Sequence, residues 1–183
     1  INKEINEKYA NALKVFFKSF EKKPTIVDLG CGDFFIGSQL TGFANKYIAV
    51  DVVDELINFN KKKYNNLNVD FQSLDITKDN LPIGDVVIVR EVLQHLSNKN
   101  IKNVLDKIKT QYQYLIFTEA LPNLKNFKAN KDFLNGPDTR LSLLSGIILT
   151  KPPFNLIIKK HKTLLEIYRK KENSILKTEL YEI

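Results

Sequence analysis

The feature that most constrains the fold is a set of short apolar runs separated by segments with helical periodicity. The three clearest runs are Ile26-Val27, Val86 to Val89 and Leu115 to Phe117. Strands covered by helices on both faces have this composition, whereas strands with one solvated face alternate apolar and polar residues. Because the runs alternate with amphipathic segments, the sequence predicts an α/β fold with a doubly wound, mostly parallel sheet.

The pattern predicts five parallel strands and a C-terminal antiparallel hairpin. Two β-like runs flank the polar stretch 170–174, and this spacing favours a hairpin. We expect one domain over residues 1–183. The predicted parallel strands span residues 25–29, 47–51, 69–73, 85–90 and 114–119, and the hairpin strands span 164–169 and 175–181.

The remaining segments are predicted to be helical, with one exception. An amphipathic helix is expected over residues 1–23, ending before Pro24. Two crossover helices follow from the apolar spacing of 53–64 and 101–108, the second with Asn98 or Asn100 as its N-cap. The exception is the segment 121–154, which shows no period. Connections of this length usually act as lids or binding loops.

Charge and cysteine usage narrow the function classes. The net charge is +7, yet only three of the 28 basic residues are arginine: Arg90, Arg140 and Arg169. The lysine excess indicates a solvated surface more than a nucleic-acid footprint. No apolar run approaches the roughly 20 residues of a membrane span, and the N-terminus lacks the pattern of a secretory signal. The single Cys31 fits a reducing compartment, so we expect a cytoplasmic protein. The sequence contains no Met, which predicts a short segment before Ile1.

A glycine turn follows the first predicted strand, in the stretch Asp28-Leu29-Gly30-Cys31-Gly32, and we expect it to lead into a helix. Glycines at such a turn let a ligand approach the backbone. A dinucleotide-binding fingerprint needs a third glycine at position 35, where this chain has Phe35. The chain also lacks a P-loop motif. The sequence therefore disfavours both a dinucleotide site and a P-loop phosphate site.

The stretch Asp28 to Gly32 resembles the first motif of class I S-adenosylmethionine-dependent methyltransferases. The resemblance covers about Tyr9 to Glu119 and implies a Rossmann-like fold that binds S-adenosylmethionine. In that family the glycine turn lies against the methionine part of the cofactor. Many members carry a third glycine where this chain has Phe34, and we interpret this departure as altered packing around the cofactor.

Three further motifs follow in register. Asp51 ends the second strand 19 residues after Gly32, where a carboxylate can accept hydrogen bonds from ribose hydroxyls. Leu74-Asp75-Ile76 resembles the adenine-edge motif of the family, and residues 85–96 resemble its fourth strand and the helix that follows. No metal is expected. The predicted cofactor-binding residues are Asp28, Gly30, Cys31, Gly32, Asp51, Val52, Asp75, Ile76 and Arg90.

Candidates for catalysis and acceptor binding lie at the same sheet edge. His95 follows the fourth strand and is the best candidate for a general base, although it could equally pack within a helical turn. Glu91 and Glu119 are lesser candidates. We expect Arg90, Arg140 and Glu119 to contact the acceptor. The two arginines are chosen because a guanidinium can bind an anionic group through two donors, and Glu119 because it ends a strand at the same edge. An ion pair of Arg140 with Asp138 is the alternative.

The absence of two signatures favours a small-molecule or glycan-precursor acceptor, which the arginines suggest is anionic. The fourth strand does not lead into the Asn/Asp-Pro-Pro-aromatic motif of amino-methylating enzymes. The only cysteine lies in the glycine turn, not near the fourth strand as in carbon-5 pyrimidine enzymes. Residues 139–155 also give a weak resemblance to small methyltransferases of bacterial surface polysaccharides. Two alternatives stay open: an RNA methyltransferase with a basic face, and a non-catalytic protein that keeps the cofactor fold.

Overall fold

One seven-stranded sheet organises the molecule, which we describe from a computed structural model covering residues 3–183. The strand order is β3-β2-β1-β4-β5-β7-β6; the first five are parallel and β7 is antiparallel to both neighbours. The doubly wound sheet with a C-terminal hairpin is therefore confirmed. The strands are β1 Thr25–Leu29, β2 Lys46–Asp51, β3 Val69–Ser73, β4 Val86–Arg90, β5 Tyr114–Pro122, β6 Lys160–Arg169 and β7 Ser174–Glu182; the α-helices are α1 Lys3–Phe17, α2 Asp54–Lys63 and α3 Asn98–Gln111.

Alternating side chains of the parallel strands build two apolar layers. On one face, Val87 and Val89 of β4 pack with Ile101, Val104 and Ile108 of α3. On the other face, the neighbouring strand residues pack with Tyr9, Leu13 and Phe17 of α1 and with Ile57 of α2. Burial on both faces explains the continuous apolar runs of the central strands.

The hairpin brings its turn to the edge of the sheet where the parallel strands end. Strand β7 pairs with β5 from Tyr114↔Glu182 to Pro122↔Ser174. Because the two strands are antiparallel, the start of β7 lies beside the end of β5. Residues 170–173, which join β6 to β7, therefore lie at the carboxyl edge of the parallel strands, where open α/β sheets bind ligands.

Helix α1 ends earlier than the sequence suggests. The predicted helix over 1–23 is wrong at its C-terminus, because α1 ends at Phe17. Phe20 folds back so that its ring packs edge-on against Phe16 and Tyr114. Ile1 and Asn2, where the predicted helix began, lie outside the described residues.

The helix expected after the glycine turn is absent from the described structure. Two 3₁₀ turns, Gly37–Gln39 and Thr41–Phe43, connect β1 to β2 instead. Glycine disfavours an α-helix, and Gly37 is required because a Cβ there would lie 2.2 Å from the Phe34 ring. The predicted N-cap of α3 is also corrected: the Ser97 side chain accepts from the Asn100 backbone N–H at 3.3 Å.

The long connection between β5 and β6 is fixed to the start of α3. Residues 123–159 contain one 3₁₀ turn, Arg140–Leu143. Asn98 binds this segment twice, through its backbone N–H to Asp132 and its amide to the Asn130 carbonyl. Ile147 and Leu149 join the apolar layer beside α3. The segment thus completes the core on that side. Within residues 3–183, no helix is long and apolar enough to cross a membrane.

Candidate active site

The glycine turn is tied to the end of β2. The backbone N–H groups of Gly30 and Cys31 both donate to the Val50 carbonyl, at 2.8 and 2.9 Å. Gly30 and Gly32 adopt positive φ angles of 78° and 55°. A Cβ on Gly30 would lie 2.3 Å from Val92, whereas a Cβ on Gly32 would meet no atom within 4 Å. Gly30 is therefore required for packing, and Gly32 leaves an open face above the turn.

Helix α2 braces the turn from below, which the sequence did not reveal. Asn60 is fully buried, and its amide donates to the Gly32 carbonyl at 2.7 Å. One helical turn further on, the Tyr64 hydroxyl donates to the Asp33 carbonyl at 3.2 Å. Both carbonyls are thus fixed, and the turn keeps its shape without an α-helix behind it.

Phe34 stands in the position where many family members have glycine, with a positive φ of 58°. Its side chain is fully buried and contacts the rings of Tyr47, Tyr64 and Phe71 edge-on, with centroids 4.8–5.4 Å apart. The ring therefore points into the apolar layer below the turn. The departure from the family motif changes packing underneath the site and leaves the open face at Gly32.

The acid at the end of β2 lies directly beside the turn. Asp51 accepts from the backbone N–H of Gly32 at 3.0 Å and from that of Val53 at 3.1 Å, one bond to each oxygen. Each carboxylate oxygen can accept two hydrogen bonds, so Asp51 retains acceptor capacity. Val52 beside it is 64% exposed.

The predicted adenine-edge motif is shaped by its own turn. Asp75 accepts from the backbone and hydroxyl of Thr77 and pairs with Lys78 at 3.0 Å. The hydrogen bond from the Thr77 hydroxyl is the main cause that holds the pKa of Asp75 below its usual value. Ile76 is buried in the core beside α3, and its carbonyl accepts from Lys107.

A small cavity of about 140 Å³ lies under the glycine turn and contacts α1. Asp28 forms part of its wall and accepts from the Tyr47 hydroxyl at 3.0 Å. Burial raises the pKa of Asp28 to about 6, although this hydrogen bond and Arg90 oppose the rise. Arg90 lies with its guanidinium 4.8 Å from the Tyr9 ring centre, and its buried Nε finds no hydrogen-bond partner among residues 3–183.

A larger cleft of about 760 Å³ adjoins this cavity, and the two share Asp33 and Arg90. It lies between the start of α1 and the turn of the β6–β7 hairpin. Glu91 adopts a positive φ of 54° at its inner wall and pairs with Arg169 at 2.7 Å. The lining residues are Ile5, Asn6, Asp33, Arg90, Glu91, Tyr168, Arg169, Lys170, Lys171 and Glu172.

Arg140 is not available to an acceptor. It is 1% exposed, and its guanidinium donates to four backbone carbonyls and one side-chain amide oxygen. The prediction that it grips an anion is therefore wrong, as is an Asp138 ion pair, because carbonyls saturate all its donors. The acceptors are the carbonyls of Leu93, Gln94, Leu96 and Lys131 and the side chain of Asn98.

Glu119 and His95 lie behind the cleft, and neither lines it. Glu119 is 2% exposed and accepts from the Gln94 backbone N–H at 3.0 Å. Burial, with a smaller contribution from Glu91, raises its pKa to about 8. The His95 Nδ1 lies 3.1 Å from the Asp138 carbonyl. A carbonyl only accepts, so this contact selects the form with a proton on Nδ1.

Several solved structures share this fold. The N-methyltransferase NodS from Bradyrhizobium japonicum WM9, in complex with S-adenosyl-L-homocysteine, has a TM-score of 0.69 at 12% identity over 96% of this chain and 86% of NodS. A S-adenosylmethionine-dependent methyltransferase from Leishmania major has a TM-score of 0.69 at 13% identity, covering 99% and 73%. The N-terminal domain of EvdMO1, solved in the presence of S-adenosyl-L-homocysteine and D-fucose, has a TM-score of 0.64 at 11% identity, covering 96% and 83%.

Identities this low establish a shared fold alone. No curated protein sequence matches the chain at a significant level. Residues 26–112, however, match the family model of a methyltransferase domain. Residues 26–112 form a methyltransferase domain, and the chain has the fold of class I S-adenosylmethionine-dependent methyltransferases. The predicted family, enzyme class and cofactor are confirmed.

The described residues fit the cofactor of this methyltransferase. Gly32 leaves open space above the turn, and Asp51 beside it has unused acceptor capacity. The cavity under the turn is lined by Arg90, whose buried Nε has no hydrogen-bond partner among residues 3–183, and by the buried acid of Asp28. S-adenosylmethionine carries vicinal hydroxyls, a carboxylate and an ammonium, which these groups complement.

The methyltransferase has a basic cleft wall that the sequence analysis missed. Arg169 and the adjacent lysines lie on the hairpin, far along the chain from every motif. One signal was present: a terminal hairpin antiparallel to the last parallel strand must place its turn at the ligand-binding edge. Applied to residues 170–174, that rule would have singled out Arg169.

Proposed function

We propose that this methyltransferase acts on a small-molecule or glycan-precursor acceptor that carries an anionic group and binds in the 760 Å³ cleft. The observation that supports the proposal is the junction of the cleft with the cavity under the glycine turn, through Asp33 and Arg90. An acceptor in the cleft would lie next to the cofactor. The neighbour solved in the presence of D-fucose also supports a sugar-like acceptor. The expected cytoplasmic location belongs to this proposal.

Within the proposal, the predicted cofactor residues take separate tasks. Asp51 and Val52 would hold the adenosine, with Asp75 and Ile76 at the adenine edge. Gly30, Cys31 and Gly32 would form the floor, and Asp28 with Arg90 would hold the methionine end. The cofactor supplies a methyl group on a positively charged sulfur. The protein positions the acceptor and excludes water.

His95 remains the proposed base for an acceptor that must lose a proton; it does not line the cleft, so such an acceptor would have to extend beyond the cleft lining to reach it. In the neutral ring, the Nδ1 contact leaves Nε2 as the nitrogen that can accept a proton, as a base requires. If His95 serves as base, His95→Ala should lower turnover by roughly 10²–10⁴-fold with nearly unchanged cofactor affinity. Loss of thermal stability with retained specific activity would assign His95 to packing against Asp138.

The test of the proposed function is a screen for S-adenosyl-L-homocysteine release. Phosphorylated metabolites, nucleotide sugars and RNA would be offered to the methyltransferase in parallel. We expect turnover with a phosphorylated metabolite or a nucleotide sugar and a weak dependence on salt. Turnover with RNA alone, falling steeply as salt rises, would contradict the proposal and favour the RNA alternative.

A further inference from the structure

The β6–β7 turn of the cleft carries three consecutive basic residues, followed by Glu172. Arg169 ends β6, and Lys170 and Lys171 follow directly. Both lysines are exposed, and neither forms an ion pair within residues 3–183. The Arg169 side chain is only 17% exposed and its guanidinium is held by Glu91, whereas the two lysines are exposed to solvent.

The Arg169 guanidinium already holds an anion, and that anion belongs to the protein. Glu91 Oε1 lies 2.7 Å from Arg169 Nη1, and Glu91 Oε2 lies 3.8 Å from Arg90 Nη2. The pair joins β4 to β6, which are separated in the sheet by β5 and β7. The carboxylate therefore sits between the cofactor side and the hairpin side of the cleft.

Glu91 occupies this place at a conformational cost. A φ of 54° is a left-handed conformation that costs a residue with a side chain about 1–2 kcal/mol. The backbone is held there by a hydrogen bond from Glu91 N–H to the Thr118 carbonyl at 2.8 Å. The strain and the bond together aim the carboxylate into the cleft, where its side chain stays 24% exposed.

We propose that Arg169, with Lys170 and Lys171, forms the subsite for a phosphate group of the acceptor, and that Glu91 occupies the Arg169 fork until the phosphate arrives. A phosphate carries more charge than a carboxylate and presents three oxygens to the fork and the two lysines. It therefore competes with Glu91 for Arg169. The carboxylate, once released from Arg169, stays beside Arg90, where it can accept a hydrogen bond from a hydroxyl or amine of the acceptor. This inference rests on the proposed function for its acceptor.

The subsite can be tested without turnover by calorimetric titration of inorganic pyrophosphate into the full chain in chloride buffer. We expect one binding site, weakened about tenfold or more by Arg169→Gln, the scale of a lost charge-assisted fork. Arg169→Lys should fall between the two, because it keeps the charge and loses the second donor. Glu91→Gln should bind more tightly than the wild type, because the internal competitor is neutralised.

A matched lysine pair controls for charge alone. Lys170→Gln/Lys171→Gln should weaken pyrophosphate binding, whereas Lys61→Gln/Lys62→Gln, an exposed pair on α2, should not. Equal weakening by the two pairs would show non-specific attraction and overturn the subsite. Unchanged binding in folded Arg169→Gln, or weaker binding in Glu91→Gln, would overturn it as well. Folding of each variant is checked by its thermal transition.

The same variants separate this inference from the proposed function. Pyrophosphate binding that depends on Arg169 supports the subsite, even when the screen finds no methylated small molecule. Turnover of a neutral acceptor together with Arg169-independent binding supports a small-molecule function and rejects the subsite. A much larger loss of turnover in Arg169→Gln for a phosphorylated acceptor than for its neutral analogue supports both.

Discussion

Phe34 shows how a single side chain can replace a glycine in a motif without closing the site. Its backbone is left-handed, which costs about 1–2 kcal/mol for a residue with a Cβ. Its ring is fully buried against three other aromatic rings, and truncating such a phenylalanine to alanine costs about 3–5 kcal/mol. Packing therefore outweighs strain at this position.

This balance predicts an inverted order of stability for two truncations. Phe34→Ala should lower the free energy of unfolding by about 3–5 kcal/mol, because it loses the ring and keeps the strain. Phe34→Gly should be about 1 kcal/mol more stable than Phe34→Ala, although glycine is ordinarily the less stable choice. Urea denaturation of both variants measures the difference. The alanine variant being the more stable one would show that position 34 is unstrained.

Asp51 combines two tasks that mutation can separate. It caps the Gly32 and Val53 N–H groups and is proposed to hold the ribose hydroxyls. Asp51→Ala should weaken binding of S-adenosyl-L-homocysteine by about 1.5–3 kcal/mol, the scale of lost charge-assisted hydrogen bonds. Asp51→Asn retains one acceptor and should fall between. Calorimetry gives both affinities, with Asp70→Asn on β3 as the control; unchanged affinity in folded Asp51→Ala would remove Asp51 from the site.

At the scale of the elements, Arg140 fixes the connection of residues 123–159 to the turn before α3. The guanidinium joins the Lys131 carbonyl to the carbonyls of Leu93, Gln94 and Leu96. A lysine cannot reach acceptors in so many directions, so the buried carbonyls would lose their donors. The segment that the sequence assigned to acceptor binding thus has a structural role as well, because it covers the core beside α3.

Arg140→Lys is therefore expected to act on stability and not on acceptor affinity. The variant should lose about 3 kcal/mol of unfolding free energy, the scale of a broken buried network. Lys151→Arg, an exposed exchange on the same connection, should be neutral. Urea denaturation measures the first effect. If Arg140→Lys kept wild-type stability and bound the acceptor more weakly, the structural role would be contradicted and Arg140 would be assigned to the acceptor site.

The elements differ in how far the sequence could predict them. The strands were predictable because apolar runs such as Val86 to Val89 reflect burial on both faces. The glycine turn and Asp51 were predictable because their spacing follows from one strand–turn–strand unit. The 3₁₀ turns after Phe34 were not, since Gly37 is required by a ring contact that no local pattern records. Arg169 and Asn60 were missed for the same reason: their partners, Glu91 and Gly32, lie 78 and 28 residues away.

At the scale of the whole molecule, two buried acids couple folding to pH. Burial raises the pKa of Asp28 to about 6 and that of Glu119 to about 8, from ordinary values of 3.8 and 4.5. In both cases the folded state holds its proton more tightly than the unfolded chain. Stability is therefore full below the unfolded pKa and falls as pH rises to the folded pKa, with no further change above it. The contribution of Asp28 ends near pH 6, so the loss between pH 6 and 8 belongs to Glu119.

Glu119→Gln tests this coupling. The amide keeps an oxygen for the Gln94 N–H and cannot ionise, so its stability should not change between pH 6 and 8 on account of residue 119. The wild type should lose stability across that interval with a slope approaching about 1.4 kcal/mol per pH unit. The variant should consequently gain on the wild type as pH rises, and the gain should level off above about pH 8. Thermal melts at pH 5, 6, 7, 8 and 9 follow the difference, with Glu166→Gln on the exposed side of β6 as the control. Parallel curves for the wild type and Glu119→Gln would mean that Glu119 ionises in the folded protein as it does in the unfolded chain, and the coupling would then lie elsewhere.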